Sequence, residues 1–503
     1  MRKLIFCLSL LLAFAMLFSG CGTETPALSD DTTSTASKAD VALKGDVTIS
    51  KPQSTTSESG NALGEVEIKD VKTKEYTIKA KGSKYADGIM LPKLSKKQAT
   101  ISYMTNTTWD YIKQESTETS PTAIYHAMLI WKEVYGVDVE IELVDWDNFT
   151  SHLVTSVVAG DSPEVMRWVA GRPKWINNNL VTSLDDKLDL TDKDYDVETM
   201  QENSALNGHI YAAYGQGLKM PTYVLAYNKT KFEEAGETDP MTLYKQGKWT
   251  FTQFIKTAKN MTDAANDEYG LAGTGALHPN NFQMMYLNDD ATVTLCIKDS
   301  RFVKCMQSVF KLYRTEKAAR LTDDMRSTFP VGKDAMALTN MSDYCRMMDT
   351  AKASGSTYKF GIVPYPSYDM INEKNPYGSN RTYLDPFSIS AAPTNMDGAV
   401  EFVRLVTKVA TNISEELGDW GWAKNYMTKE EKDVFSKVKY FKWEHADCTN
   451  SISGTNDPFY NTMRAPIYYD KNTSQDLSTI LANGYSSLSG VIAEYEINAG
   501  LRS

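Results

Sequence analysis

A change in hydrophobic periodicity between residues 98 and 190 is the sequence feature that most constrains the fold. Residues 99–104 have the composition of a short β-strand and lead into a polar loop that ends at Trp109. Apolar residues then recur at spacings of four and three, which predicts a helix with one apolar face. The residues of that face are Ile124, Met128, Trp131 and Tyr135. Gly136 follows them, where a helix favours a residue that can adopt a left-handed conformation.

The residues that follow repeat this alternation of strand and helix. Residues 137–143 alternate between apolar and acidic side chains, which predicts a half-buried strand. Residues 149–159 have the pattern of a second helix, with Asp145 or Asp147 as its N-terminal cap and Gly160 at its end. Residues 164–169 predict a third strand. Helical crossovers of this length favour parallel strands joined in a right-handed sense, so the predicted fold class is α/β.

The loops at the carboxyl ends of these strands are the expected location of a ligand site. In open α/β sheets, ligands bind in the crevice outside the carboxyl ends of the strands. The loops concerned are residues 105–109, 145–147 and 168–175. Aromatic faces in such loops can cover the apolar face of a sugar, while neighbouring polar groups meet its hydroxyls.

The N-terminus has the organisation of a secretory signal. Met1-Arg2-Lys3 precedes an apolar run over residues 4–18, which is too short to predict a membrane-spanning helix. Ser19-Gly20-Cys21 resembles a bacterial lipobox, in which the cysteine becomes the lipid-modified first residue of the mature protein. We therefore expect residues 1–20 to be a signal peptide and Cys21 to carry a lipid anchor. An ordinary signal peptide or a signal anchor is the alternative.

The next segment, residues 21–95, is predicted to be a lipid-tethered flexible linker. Residues 22–64 contain almost no large apolar side chain, so they cannot bury enough surface to offset the entropy lost on ordering. Residues 65–81 alternate weakly between apolar and polar side chains and are compatible with a short β arm.

Charge and cysteine content exclude several classes of protein. The chain carries 64 acidic against 53 basic residues, a net charge of −11, which argues against nucleic-acid binding and docking on anionic lipid. The spacing of the cysteines beyond residue 21 matches no metal motif, so we expect buried free thiols. These are Cys296, Cys305, Cys345 and Cys448. Residues 192–196 carry alternate acidic side chains, but Val197 and Asn203 stand where a calcium loop needs Gly and Glu. No metal and no cofactor are predicted.

Short motifs between residues 135 and 251 occur in the order seen in one known family. The first are Tyr135-Gly136, Ala159-Gly160-Asp161 and Ser162-Pro163-Glu164. They are followed by Asn207-Gly208-His209-Ile210-Tyr211, Tyr227-Asn228-Lys229 and Trp249-Thr250-Phe251. Together they resemble the extracellular solute-binding proteins of bacterial ABC importers, the maltose-binding-protein-like carbohydrate-binding lipoproteins. The resemblance implies a two-lobed, periplasmic-binding-protein-like (type II) fold with a ligand cleft between the lobes.

The resemblance also implies how the chain divides and which residues contact the ligand. The first lobe is expected to comprise residues 96–216 and about 385–445, and the second lobe residues 217–384 and about 446–503. Trp168 and Arg172 stand where members of the family have a binding Trp and a binding Arg, although Gly171 replaces an Asp. The other expected ligand contacts are Asn106, Trp109, Tyr214, Asn340, Tyr344, Arg381 and Tyr383.

The resemblance implies that the protein captures a carbohydrate, with an oligosaccharide as the favoured ligand, and delivers it to a membrane permease. The sequence shows no motif of a metalloprotease, P-loop, dinucleotide-binding or serine-hydrolase type, and no catalytic residues are predicted. The expected partners are the carbohydrate, the transmembrane subunits of an ABC permease and the membrane, contacted through Cys21. The protein is expected to be a monomer on the extracellular side of the cell membrane or in the periplasm. Two alternatives remain open: an extracellular glycan-processing enzyme and a ligand sensor for a membrane kinase.

Overall fold

The structure is a computed structural model that describes most of the chain beyond residue 73. The described residues are 74–118, 120–145, 148–168, 172–221, 223–273, 284–321, 325–366, 381–382, 386–438, 448, 452, 460–468 and 474–502. The predicted signal peptide, Cys21 and the first part of the predicted linker lie outside them, as does Tyr383. The chain divides into two compact units, residues 1–57 and 58–503, and every described residue belongs to the second.

Strands and helices alternate along this unit. The strands are β1 (Tyr76–Lys79), β2 (Met90–Pro92), β3 (Ser102–Thr105), β4 (Glu140–Leu143), β5 (Val165–Arg167), β6 (Ala205–Leu206), β7 (His209–Ile210), β8 (Leu218–Pro221), β9 (Tyr223–Asn228), β10 (Tyr269–Ala272), β11 (Met285–Leu287), β12 (Val293–Leu295), β13 (Asp334–Asn340), β14 (Phe360–Val363), β15 (Arg381–Thr382) and β16 (Phe387–Ile389). The α-helices are α1 (Lys96–Ala99), α2 (Trp109–Glu115), α3 (Ala123–Tyr135), α4 (Phe149–Ala159), α5 (Lys174–Asn177), α6 (Val197–Ser204), α7 (Lys229–Ala235), α8 (Pro240–Lys245), α9 (Phe251–Asn260), α10 (Ser300–Phe310), α11 (Met325–Thr328), α12 (Met341–Ala353), α13 (Met396–Leu417), α14 (Lys429–Phe435), α15 (Ala465–Tyr468) and α16 (Leu477–Asn498). Short 3₁₀ helices occupy Lys84–Ala86, Ala264–Asn266 and Gly421–Asn425, and π-helical turns occupy Lys311–Thr315 and Tyr460–Arg464.

A four-stranded sheet in the order β16-β5-β3-β4 forms the core of the first lobe. β4 and β5 both run parallel to β3, as the sequence predicted, and β16 returns antiparallel to β5. The two predicted crossover helices are confirmed as α3 and α4, which end at Gly136 and Gly160 with φ of 69° and 70°. Glycine is favoured at both ends because a side chain would be strained at that backbone angle. β4 begins only at Glu140, later than the apolar and acidic alternation suggested.

A second four-stranded sheet, in the order β10-β13-β9-β14, forms the core of the second lobe. β9 lies antiparallel to both of its neighbours, and β10 lies parallel to β13. Every residue of β13 except the last, Asn340, is buried, which is the expected state of a central strand covered on both faces.

Helix α13 packs over the first sheet and against α3, and it closes the core of the first lobe. Asn395 caps its start by accepting a hydrogen bond from the Gly398 amide at 3.1 Å. Phe402 and Trp131 of α3 are both fully buried, and their rings meet edge to face with centroids 5.3 Å apart. Burying each side chain stabilises the lobe by about 1.5–3 kcal/mol, and the ring geometry adds roughly 0.5–1.5 kcal/mol.

Residues 74–95 are structured, and β1 lies within the segment, residues 65–81, for which a short β arm was expected. β1 and β2 pair antiparallel and lie against α13. Arg404 of α13 donates to the Met90 carbonyl at 2.6 Å, and Asn412 donates to the carbonyls of Tyr85 and Asp87, both at 2.9 Å. The partners of this hairpin could not be read from the sequence, because they come from a helix more than 300 positions later in the chain.

Helix α14 corrects the predicted boundary between the lobes. Residues of this helix fall inside the segment assigned to the first lobe, about 385–445. However, Glu431 is almost fully buried and accepts a hydrogen bond from the Ile362 amide of β14 at 3.0 Å. Lys229 at the start of α7 lies 3.7 Å from the same carboxylate. The chain therefore returns to the second lobe soon after α13 ends.

No helix among the described residues combines the length and apolarity needed to cross a membrane.

Candidate interlobe site

Two short strands connect the lobes side by side. β8 precedes β9 of the second sheet, and β15 precedes β16 of the first sheet. The two strands pair antiparallel, with Arg381 opposite Pro221. A pair of adjacent crossings is the geometry of a hinge, because a few backbone angles there can change while each lobe stays rigid.

The first-lobe edge of the cleft is the loop that follows β3. Thr105 and Thr107 join their hydroxyls at 2.9 Å, and Thr108 caps α2 by accepting from the Tyr111 amide. Asn106 is exposed in this loop. Trp109, the first residue of α2, is 38% exposed, and its ring lies 5.6 Å from that of Tyr125 at a tilt of 34°. An exposed indole held from behind by a second ring is a rigid apolar surface next to polar groups.

The second-lobe edge is the junction between β13 and α12. Asn340 ends the strand and caps the helix, since its Oδ1 accepts from the Asp343 amide at 2.8 Å and its Nδ2 donates to the Asp343 carboxylate at 2.9 Å. Arg326 of α11 donates to the same carboxylate at 2.6 Å. The amide of Asn340 is thus held in a fixed orientation by the helix that it starts.

A salt bridge joins the two edges. Arg346 of α12 donates to both carboxylate oxygens of Glu115 in α2, at 2.8 and 2.6 Å. Arg346 also lies 3.8 Å from Asp343. The helix that Trp109 begins and the helix that Asn340 caps therefore meet at this bridge. Glu115 and Arg346 were not predicted from the sequence, since neither belongs to a motif and their pairing depends on the packing of two lobes.

A second contact between the lobes involves the C-terminal helix. Asn177 in α5 donates to the Tyr495 hydroxyl of α16 at 2.7 Å, and that hydroxyl donates to the Ala291 carbonyl at 3.0 Å. α16 also packs against β12, where Glu496 accepts from the Val293 amide. The β11–β12 hairpin and α16 are thus joined to each other by hydrogen bonds.

Trp168 and Arg172 are both buried against α6 and β6. Trp168 is 6% exposed, and its Nε1 donates to the Asn203 carbonyl at 3.2 Å. Arg172 is 7% exposed, and its Nη1 donates to the Ala205 carbonyl at 3.1 Å. These contacts anchor the two side chains to the first lobe, and their role in ligand binding stays a prediction.

The remaining predicted contacts occupy different environments. Tyr214 is buried just before the hinge, and its carbonyl accepts from the Asp196 amide at 3.0 Å. Tyr344 is 2% exposed in α12, where burial raises the pKa of its hydroxyl well above the usual value. Arg381 lies in β15 at the hinge. Asn106 and Trp109 thus lie just after β3 of the first lobe and Asn340 at the end of β13 of the second lobe, while Tyr344 and Tyr214 pack into the lobes; a role of these residues in ligand binding stays a prediction.

The acidic run at residues 192–196 has a protein cation as its partner. Lys408 of α13 pairs with Asp192 at 2.6 Å and also with Asp194, and Asp196 caps α6 by accepting from the Thr199 amide. Within the part of the chain that the structure describes, no group of three or more His, Cys, Asp or Glu side chains could hold a metal ion.

Comparisons with known proteins agree with this geometry. A family model described as bacterial extracellular solute-binding protein matches residues 102–413, more than half of the chain. A search of curated protein sequences found no match.

Solved structures resemble the chain over most of its length at low sequence identity. The galacto-N-biose-/lacto-N-biose I-binding protein of the ABC transporter from Bifidobacterium longum, in complex with lacto-N-biose, has a TM-score of 0.55 at 13% identity, covering 80% of this chain and 98% of that chain. UgpB from Mycobacterium tuberculosis, in complex with glycerophosphocholine, has a TM-score of 0.53 at 15% identity, covering 78% and 98%. The GacH receptor of Streptomyces glaucescens, solved unliganded and with acarbose, has a TM-score of 0.52 at 18% identity, covering 82% and 100%. This likeness shows that the chain has the two-lobed periplasmic-binding-protein-like fold.

Proposed function

Because the chain belongs to the bacterial extracellular solute-binding protein family, we propose that it is the lipid-anchored binding component of an ABC importer and captures an oligosaccharide between its lobes. Closure around the sugar replaces water contacts with contacts from both lobes, so binding shifts the population toward the closed form. The closed form then delivers the sugar to the transmembrane subunits of the permease.

The observation that carries the proposal is the salt bridge between Glu115 and Arg346, which joins α2 of the first lobe to α12 of the second. A ligand between the edges that it joins contacts both lobes at once, which is the condition for coupling binding to closure. The exposed face of Trp109 supplies a flat apolar surface for a pyranose ring, and Asn106 and Asn340 supply amides for its hydroxyls.

Carbohydrate is the favoured ligand class for two reasons. The solved structures from Bifidobacterium longum and Streptomyces glaucescens are complexes with lacto-N-biose and with acarbose. The protein from Mycobacterium tuberculosis was crystallised with glycerophosphocholine, so the fold alone does not select a sugar. The aromatic and amide groups at the first-lobe edge favour the sugar, because they match its alternating apolar faces and hydroxyls.

We propose that the sugar leaves the cleft chemically unchanged and that the protein acts as a monomer. Anchoring through the lipid on Cys21, after removal of residues 1–20, would hold it at the extracellular face of the membrane. Mass spectrometry of an oligosaccharide recovered after long incubation tests the first point, since a glycan-processing enzyme would release products with time. Metabolic labelling with a fatty acid tests the anchor, with Cys21→Ser as the control that loses the label.

Calorimetric titration across a panel of oligosaccharides tests the ligand class. Trp109→Ala should weaken binding tenfold or more, about 1.4 kcal/mol, because it removes the stacking surface. Tyr111→Ala is the matched control, since Tyr111 is 48% exposed on the same helix. A flat response to every sugar combined with clear binding of a peptide or another solute would refute the carbohydrate assignment.

A further inference from the structure

The exposed indole of Trp109 has one aromatic neighbour. Its ring centroid lies 5.6 Å from that of Tyr125 in α3, within the range of attractive aromatic pairs. No other ring and no hydrogen bond holds the indole among the residues that the structure describes. Of the described residues of α2, the helix that Trp109 begins, Ile112 alone is buried. The orientation of the indole therefore depends on few contacts, and the ring of Tyr125 is the most direct of them.

Tyr125 belongs to a row of aromatic rings that leads away from the cleft. It is partly buried, and its ring meets that of His126 edge to face with centroids 5.1 Å apart. The imidazole of His126 in turn meets the ring of Tyr85 edge to face at 4.7 Å. Tyr85 is 2% exposed, and its carbonyl accepts from Asn412 of α13 at 2.9 Å. The row thus joins the exposed indole to a buried ring that is fixed to the core of the first lobe.

Two hydroxyl groups flank the imidazole in the middle of this row. Nδ1 of His126 lies 3.0 Å from the Ser83 hydroxyl, which is the distance of a full hydrogen bond. Nε2 lies 3.5 Å from the Ser116 hydroxyl, a weaker contact. Ser83 caps the 3₁₀ helix that contains Tyr85, and Ser116 ends α2. The imidazole therefore has a partner at each nitrogen and a ring on each side, which restricts its rotation.

The far end of the row precedes the segment that matches the family model. Ser83 and Tyr85 come before residue 102, where that match begins. Gly82 next to them has a φ of 97°, and a Cβ there would lie 2.7 Å from the Cβ of Glu133 in α3. This close approach holds the segment against the helix that carries Tyr125. A part of the chain outside the family match thus supports the first-lobe edge of the cleft.

We propose that Tyr125 is a positioning residue for the ligand surface of Trp109, and that His126 supports it. The proposal rests on the proposed function, in which this indole contacts the sugar. A side chain that is already held in its binding orientation loses little entropy when the ligand arrives, which raises the affinity. Without the ring of Tyr125 the indole samples orientations that do not bind, and the affinity falls in proportion to the fraction that remains competent.

Fluorine nuclear magnetic resonance of full-length protein labelled with 5-fluorotryptophan tests the positioning without a ligand. The Trp109 resonance is the one that is missing in Trp109→Phe. Its transverse relaxation should become slower in Tyr125→Leu, because the indole gains fast local motion. Tyr125→Phe should keep the relaxation of the wild type, because it retains the ring. Circular dichroism establishes that each variant is folded.

Two further variants test the row. His126→Leu should also slow the relaxation, by a smaller factor than Tyr125→Leu, although the imidazole makes no ring contact with Trp109 among the described residues. Tyr111→Leu is the matched control, because Tyr111 is 48% exposed on α2 and has no ring contact with a described residue. It should leave the Trp109 resonance unchanged.

Calorimetric titration with maltotriose and raffinose as probes connects the positioning to binding. Tyr125→Leu should bind any probe that the wild type binds roughly two- to tenfold more weakly, and Tyr125→Phe should stay within about twofold of the wild type. A loss of stability alone would not produce this difference between two folded variants.

The outcomes separate this proposal from the proposed function. A flat response to every oligosaccharide, with the Trp109 resonance still dependent on Tyr125, would refute the proposed function alone. Equal relaxation of Trp109 in Tyr125→Leu and wild type, or equal loss of affinity in Tyr125→Leu and Tyr125→Phe, would overturn the positioning role. Unchanged relaxation in His126→Leu would overturn the supporting role of the imidazole.

Discussion

Breaking the salt bridge between the lobes should shift the protein toward an open form. Glu115→Gln removes the charge that faces Arg346 and keeps the shape of the side chain. Because the two side chains are 34% and 41% exposed, water and salt screen their attraction. The bridge is therefore worth about 0.2–1 kcal/mol, which corresponds to a roughly 1.4- to fivefold change in the ratio of closed to open molecules.

Distances between labels on the two lobes measure this ratio. Val158 in α4 and Val331, just before β13, are 79% and 45% exposed, so Val158→Cys with Val331→Cys, combined with Cys296→Ser to remove a partly exposed thiol, places one label site on each lobe. Single-molecule energy transfer should show a larger open fraction in Glu115→Gln than in the wild-type sequence without ligand. The affinity for a cleft ligand should fall in proportion to the fraction of closed molecules, and so by no more than this factor.

Salt dependence provides the internal control. At about 1 M salt the Debye length falls to roughly 3 Å, so the wild type should approach the distance distribution of Glu115→Gln. The exchanged pair Glu115→Arg with Arg346→Glu should recover part of the closed population. Recovery should be incomplete, because the carboxylate introduced at position 346 is repelled by nearby Asp343. Identical distributions for wild type and Glu115→Gln at low salt would refute the assignment of this bridge to closure.

Three further predictions concern stability and reactivity. Gly484→Ala should destabilise the protein by more than about 1 kcal/mol, because a Cβ there would lie 2.3 Å from the Met463 sulfur. Gly490→Ala on the same helix meets open space and should stabilise the protein by about 0.5–1 kcal/mol. Thermal unfolding of both variants tests these expectations. Burial, with a smaller contribution from Lys84, lowers the pKa of His126 to about 4. The contribution of His126 to the free energy of unfolding is therefore fully present above about pH 6.5 and is lost as the pH falls toward 4. Denaturant titrations should show a weaker acid dependence for His126→Gln, and equal slopes would contradict it. Burial raises the pKa of the Cys345 thiol to about 12, so alkylation of this residue at pH 8 should require unfolding, and rapid labelling of native protein would show that it is accessible.

The parts of the fold that the sequence predicted are those set by local chemistry. The glycines that end α3 and α4 adopt positive φ, which few other residues tolerate. Asn207 and Gly208 likewise have φ of 53° and 78° between the paired strands β6 and β7, as an Asn-Gly hairpin signal predicts. In each case the residue type that fixes the backbone lies at the position it fixes, so one chain position is enough to predict the structure.

The candidate site was harder to predict because its contacts join distant parts of the chain. Glu115 and Arg346 are 231 positions apart, and Lys408 reaches Asp192 over 216 positions. The family alignment selected Trp168 and Arg172, but their burial depends on α6 and β6, about 35 residues farther along. Residue type and spacing carry no information on which side chains a later element will cover.

The attachment of the β1–β2 hairpin determines where tension along the N-terminal chain would act. Lys74 pairs with Asp397, Lys84 pairs with Glu416, and Arg404 holds the Met90 carbonyl, so all three clasps are to α13. A force on the polypeptide upstream of Lys74 is therefore transmitted to α13 of the first lobe and does not act directly on β8 and β15. A rotation of the second lobe about β8 and β15 would therefore leave these three attachments unchanged.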